Sequence, residues 1–300
     1  MSLPVSPKPL VEANRITKML DVVFGEDRFD RHPVDVGNLA MEYSRQIAPN
    51  SPIHQVMGQE LSGCVGALVY SDTSPRQWGV LYDKGQPVTR RAFTVAHEFG
   101  HYVLHRGLIE QDGRFNGGIY CDENSVDRRA GDGIEQEADQ FAAAILMPFH
   151  DFRKQIPSKE QPSIERLGVV AKRYGVSLTA ATLRWLEYTE SRSMLILSNE
   201  GFALWAKSSG PALKSGRYLR TKNDMFELPQ LSATIRQEYD ASTGVKHLAH
   251  VWFDEPAIEF CLRSDRYDQE ITVLHFGGLG PREQSEELVE DVFDRFDSRK

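Results

Sequence analysis

Only three cysteines, Cys64, Cys121 and Cys261, occur in 300 residues, and they lie far apart. A disulfide framework is excluded, because such scaffolds need dense, paired cysteines; an odd set without ligand-type spacing fits free thiols in a reducing compartment. Long apolar runs are missing as well. No stretch approaches the roughly 20 consecutive apolar residues that span a bilayer, so no membrane partner is expected. The first residues, Met1-Ser2-Leu3-Pro4-Val5-Ser6-Pro7-Lys8-Pro9, lack the apolar core of a signal peptide. The expected location is the cytoplasm. Basic charge is in deficit: 35 Lys and Arg stand against 43 Asp and Glu, a net charge of −8. With no basic face in evidence, DNA is not favoured as a partner.

What the chain does contain is His97-Glu98-Phe99-Gly100-His101, a His-Glu-x-x-His pattern inside a helix-forming run. Each helical residue advances about 100°, so two histidines four apart lie roughly 40° apart on one face and reach the same ion. Glu98 sits beside them and can take a proton from a water whose pKa zinc lowers to about 7. Three fixed letters arise by chance in about one chain in a hundred, so the surroundings decide. Around the histidines, Ala92, Phe93, Val95, Ala96, Phe99, Val103 and Leu104 predict a mostly buried helix over 92–105, with Pro87 and Thr89 as start signals. Buried imidazoles need partners, and a metal supplies one.

Hydrolytic zinc sites commonly use three protein ligands and one water. The best source of the third is the Ala-rich stretch from Ile134 to Pro148, which carries Glu135, Glu137 and Asp139 at its start and is stopped by Pro148. Glu135 and Glu137 stand about 200° apart around a helix, so one of them faces the metal. Glu135 is chosen, with Asp139 one turn further along the same face, where it can hold the far ring nitrogen of a ligand histidine. Glu137 is then solvent-facing or bonded elsewhere. His105 and Tyr102 are read as residues lining the site or packing beside it, since a fourth ligand would displace the reacting water.

Phe93 to His105, F-T-V-A-H-E-F-G-H-Y-V-L-H, and Glu135 to Pro148, E-Q-E-A-D-Q-F-A-A-A-I-L-M-P, together resemble the ImmA/IrrE metallo-endopeptidases of bacteria and their mobile elements. The resemblance is sharp over roughly residues 60–190. It implies zinc on His97, His101 and Glu135, with Glu98 as general base. It also implies a protein substrate, a helix-turn-helix transcriptional repressor whose cleavage releases stress-response or mobile-element genes. Two imidazoles and a carboxylate suit zinc, although manganese or iron can occupy such a set.

The expected class is α+β. It comprises a mostly helical zinc-peptidase domain with a small hairpin or sheet over 1–157, a helix-turn-helix-like segment over 158–190, and a small α+β domain over 191–300, which the family resemblance implies is sensor-like. Helices are predicted for Leu10–Phe24 and Pro33–Ile47, and a hairpin for Gly63–Tyr70 with Gln77–Tyr82. Gly107 to Gly133 is polar and Gly-rich and reads as a loop bordering the site, departing from the resembled family in its length. Cys121 within it is read as a free thiol rather than a thiolate that blocks the metal. Around Ala171 to Ser177 the chain turns between two helices, but Leu178, Leu183, Trp185 and Leu186 crowd the second with apolar groups, so packing is favoured over reading DNA.

Strands are predicted at Met194–Leu197, Phe202–Lys207, Leu248–Phe253, Ala257–Leu262 and Ile271–His275, and a closing helix at Glu283–Phe296. His247 and His250 would point to opposite faces of a strand, which argues against a second metal site. Tyr102, His105, Tyr120, Arg128 and Arg129 are unranked candidates for stabilising an oxyanion. The competing readings are a metal-containing interaction protein such as a toxin–antitoxin partner, a DNA-binding regulator without proteolysis, and a hydrolase acting on another bond.

Overall fold

The computed structural model describes residues 7–115, 117–121, 133–221, 225–264 and 268–277. Within them the chain is α+β, with two sheets. Helix α1 (Pro9–Phe24) starts on a proline in its first turn and buries Ala13, Ile16, Thr17 and Leu20, the i, i+3, i+4, i+7 stripe of an amphipathic helix. After a single turn, α2 (Arg28–Arg31), Asp35 caps α3 (Val36–Ile47) by accepting from the Asn38 amide at 3.1 Å.

Three strands follow, β1 (Ile53–Gln59), β2 (Gly66–Tyr70) and β3 (Trp78–Asp83). The hairpin read from sequence is β2 with β3, antiparallel, Leu68 opposite Val80. Strand β1 was not anticipated: His54, Gln55, Gly58 and Gln59 hide its period, and Ile53 is its fully buried residue. It pairs in parallel with β3, which places β3 inside the sheet.

The long helix α4 (Val88–Gln111) leads to β4 (Gly118–Cys121), which pairs antiparallel with β2 and completes the order β1-β3-β2-β4. The loop expected over Gly107–Gly133 is thereby corrected in part, since Gly107–Gln111 extends α4 and residues 118–121 form a strand. That strand alternates in the period-two way, with Ile119 and Cys121 buried and Tyr120 exposed. Three alternating residues after Gly117-Gly118 are too short a pattern to stand out from a polar stretch. Arg128 and Arg129 lie outside the described residues.

Next come α5 (Gly133–Leu146), α6 (Phe149–Gln155), α7 (Ile164–Tyr174) and α8 (Leu178–Leu186). Gly175, at φ 65°, ends α7 in the left-handed conformation that glycine adopts without steric cost, and the Ser177 hydroxyl caps α8 on the Ala180 amide. Trp185 of α8 is fully buried, edge-on to His275. The apolar face of this second helix is therefore spent on the core.

The C-terminal part is a six-stranded antiparallel sheet, β7-β6-β5-β10-β9-β8, made of β5 (Ser193–Asn199), β6 (Phe202–Ser208), β7 (Phe226–Glu227), β8 (Val245–His247), β9 (Ala257–Ser264) and β10 (Gln269–Phe276), with the short helix α9 (Gly210–Lys214) after β6. Alternation on β5 sends Leu195 into the main core with Trp185, while Met194 and Ile196 join Trp252 and Phe276 in a second cluster. The strand expected at Leu248–Phe253 is instead a turn, with His250 at φ 73°, and pairing stops at His247. The expected helix at 283–296 lies outside the described residues. No helix among the described residues is long and apolar enough to cross a membrane.

His275 gives this packing a pH signature. Its Nε2–H donates to the Pro162 carbonyl at 2.9 Å and its Nδ1 lies 2.7 Å from the Ser193 hydroxyl. Burial pushes its pKa down from 6.5 to about 4. The unfolded chain thus takes up a proton that the folded one refuses, so the stability from the neutral ring is complete above pH 6.5 and is lost as pH falls from there through 4. Over that window the loss is roughly 3 kcal/mol. The unfolding free energy of the wild type is expected to fall more steeply from pH 6.5 to 4 than that of His275→Gln; parallel profiles would refute this.

Candidate metal centre

The motif helix α4 is enclosed by the first sheet on one side and α5 on the other, so Val95, Ala96, Phe99 and both motif histidines are buried together. Its contact with α5 depends on Gly100. A β-carbon there would stand 3.1 Å from Phe141 Cδ1 and 3.2 Å from Ala138 Cα. Glycine on one helix and alanine on the other let the backbones approach. That approach carries Glu135, one turn before Ala138, up to the imidazoles.

Four donors converge. His97 Nε2 and His101 Nε2 are 3.0 Å apart. Glu135 brings Oε2 to 3.2 Å from His97 Nε2 and Oε1 to 3.4 Å from His101 Nε2. From β4, Cys121 Sγ reaches to 3.4 Å from His97 Nε2, 3.8 Å from His101 Nε2 and 3.9 Å from Glu135 Oε2. A tetrahedral ion with zinc-like bonds of about 2.0–2.3 Å spaces nitrogen and oxygen donors about 3.4 Å apart and a thiolate sulfur about 3.6 Å from each. With Glu135 Oε2 taken as its corner, the distances to His97 and Cys121, and those among the two histidines and the thiol, come within a few tenths of an ångström of those edges, and all four donor atoms lie within 4.8 Å of one another. These residues fit a metal ion, and Cys121, set aside in the sequence reading, stands at the fourth corner.

The far ring nitrogens are held as well. His97 Nδ1 lies 2.8 Å from Asp139 Oδ1, so its Nδ1–H donates there and leaves Nε2 free toward the centre. His101 Nδ1 is 3.1 Å from His105 Nδ1, and His105 Nε2 is 2.9 Å from Glu137 Oε2. If His101 presents its bare Nε2, its Nδ1–H donates to His105, whose own proton then sits on Nε2 and bonds Glu137. His105, read from sequence as lining the site or packing beside it, and Glu137, read as solvent-facing or bonded elsewhere, form a chain that sets the His101 tautomer. Tyr102 is committed elsewhere: it is fully buried against Trp78 and its hydroxyl donates to the Ser51 carbonyl at 2.6 Å. The exposed Tyr120 lies on the opposite face of β4 from Cys121.

Burial opposes a charge on His97, but the bonds to Asp139 and Glu135 outweigh it and push its pKa up to about 10. Burial holds His101 down at about 4. Glu135 feels burial in the other direction, yet the two imidazoles bring it well below the usual carboxylate range. Without metal the centre is thus a proton on His97 between two carboxylates, and a cation entering it would displace that proton. Glu98 is fully buried and neither of its oxygens has a hydrogen-bond partner of good geometry among the described residues, the Cys121 thiol interacting with it only weakly. Burial pushes it up to about 7, with His97 and the Cys121 thiol acting against the rise. Gly66 on β2 makes room for it, since a β-carbon there would fall 2.6 Å from Glu98 Oε1.

Residues 59–186 match the model of the Peptidase_M78 family, described as an IrrE N-terminal-like domain. A comparison with curated proteins finds no match. Among solved structures the chain is similar to a Mycobacterium tuberculosis transcriptional regulator at 13% identity, covering 90% of this chain and 81% of that one, with a TM-score of 0.49. At that score the likeness says nothing of function.

Proposed function

Since residues 59–186 match the Peptidase_M78 model, an IrrE N-terminal-like domain, we propose that the chain is a zinc-dependent endopeptidase. The observation that carries this reading is Glu98, a fully buried carboxylate with no basic or hydroxyl hydrogen-bond partner and only the Cys121 thiol interacting weakly with it, next in sequence to one of the four converging metal donors. Structural stability gives no reason to bury such a group, because desolvating a carboxylate is costly. Hydrolysis does.

His97, His101 and Glu135 would hold the ion; bound there, zinc supplies Lewis-acid polarisation of a peptide carbonyl and an acidified water. Glu98, held near pH 7 by burial, is matched to accept a proton from water and pass it to the leaving amine. Asp139, and His105 backed by Glu137, fix the two imidazoles so that both Nε2 atoms face the centre. Among the described residues the sheet ends on β1 and β4, and an extended substrate can bind such a sheet by strand addition.

The substrate class follows from family resemblance: a helix-turn-helix transcriptional repressor whose cleavage derepresses stress-response or mobile-element genes. Zinc-loaded chain, tested as the native and the Cys121→Ser form, is expected to cut a candidate helix-turn-helix repressor once, read by intact mass, in at least one of the two forms. Chelation should abolish that cut. Intact substrate from both forms would overturn the proposal.

One observation favours a second reading. Three donors plus Cys121 make a closed set, as structural metal sites have, which suits an interaction protein or regulator that binds its partner without cutting it. Tight binding of intact repressor by both forms would select it.

A further inference from the structure

Catalytic metal sites keep one position open for water, whereas the four donors here leave none. The fourth corner is occupied from outside the motif helices, by a residue of β4, an outer strand of the sheet among the described residues. Cys121 pairs with Gly66 across the β2–β4 ladder. Side chains of directly opposed residues share a face, and the missing β-carbon of Gly66 would point at Glu98. The ladder therefore aims Cys121 at the same spot. It is held there firmly: the Val65 amide donates to the Cys121 carbonyl at 2.8 Å, the Tyr70 amide to Gly117 at 3.1 Å, and Gly118 lies so close to β2 that a β-carbon would fall 2.3 Å from the Leu68 carbonyl oxygen. Cys121 itself is 1% exposed.

Resting on the reading of His97, His101 and Glu135 as metal ligands, we infer that Cys121 is a fourth, displaceable ligand that closes the centre, so that the fold shown is a latent form. Strand β4 acts as a built-in plug. It covers the edge of β2 beside Glu98, and its thiolate fills the position that water needs. Opening requires Cys121 to leave the ion, and the proton lost from the thiol on metal binding returns as it does.

Cobalt tests this without a substrate. The full chain and its Cys121→Ser and Cys121→Ala variants, stripped of metal, are titrated with Co²⁺, and all three are expected to bind one ion. The wild type should show thiolate-to-cobalt charge-transfer absorption in the near ultraviolet, a band that needs no variant to interpret, and both variants should lack it. Acetohydroxamate, which requires a free coordination position, should shift the visible cobalt bands of the variants at concentrations that leave the wild type unchanged. Cobalt bound by the wild type without the thiolate band overturns Cys121 as a ligand. Equal hydroxamate binding by wild type and variants overturns closure. Failure of every form to bind cobalt overturns the centre itself, whereas the expected spectra from a chain that cuts no protein would sustain the fourth ligand and remove only the peptidase reading.

Discussion

Glu98→Gln is expected to lower peptide hydrolysis by about 10²–10⁴-fold, the range for losing a positioned general base, while leaving the chain folded and able to bind metal. The comparison should be made in whichever form cuts, native or Cys121→Ser. The same substitution carries a stability signature that an ordinary surface carboxylate would not. The folded-state pKa of Glu98 is raised from 4.5 to about 7 by burial. The unfolded chain gives up this proton more easily, so in metal-free protein the ionising carboxyl weakens the fold progressively as pH rises from 4.5 to 7. Above that the cost levels off at up to roughly 3 kcal/mol. The neutral amide escapes this. Metal-free Glu98→Gln should therefore match the wild type near pH 4 and exceed it in unfolding free energy at pH 8. A fully active variant would remove Glu98 from the chemistry. One that loses stability at pH 8 would show that the carboxylate has a structural partner after all.

Removing the metal should have the second largest effect. His97, His101 and Cys121 are each at most 3% exposed, and they face one another with lone pairs that no other described group satisfies as well as a cation. A ligand that binds only the folded chain stabilises it by about 4 kcal/mol at a free concentration 1,000 times its Kd. At about 2.1 cal/mol/K of unfolding entropy per residue, a 300-residue chain shifts by about 1.6 °C per kcal/mol, so a strong chelator should lower Tm by about 6 °C and added zinc should restore it. His101→Ala should abolish the zinc-dependent increment. An unchanged Tm in the wild type with and without zinc would contradict a metal centre here, whatever the family.

Much of the scaffold was legible. Pro9, the Ile16 and Leu20 stripe, the Asp35 cap and the Ser177 cap announce their helices through local chemistry, and local signals survive in sequence. Other parts misled for the same reason. Strand β1 has no alternation of its own and is held by pairing with β3, and the apolar Leu248–Phe253 run packs Trp252 into a cluster without joining a ladder.

The sequence by itself determined the motif pair: His97 and His101 share a face because four residues are nearly one helical turn, and Glu98 stands beside them by adjacency. Only the tertiary structure decided what closes around them. Glu135 arrives because Gly100 and Ala138 let two helices approach. His105 and Glu137 become a tautomer-fixing chain because those helices run side by side. Cys121, 20 residues beyond His101, joins the donors because strand pairing with Gly66 turns it inward. Such meetings depend on which surfaces pack and which edges pair, and no local spacing encodes them.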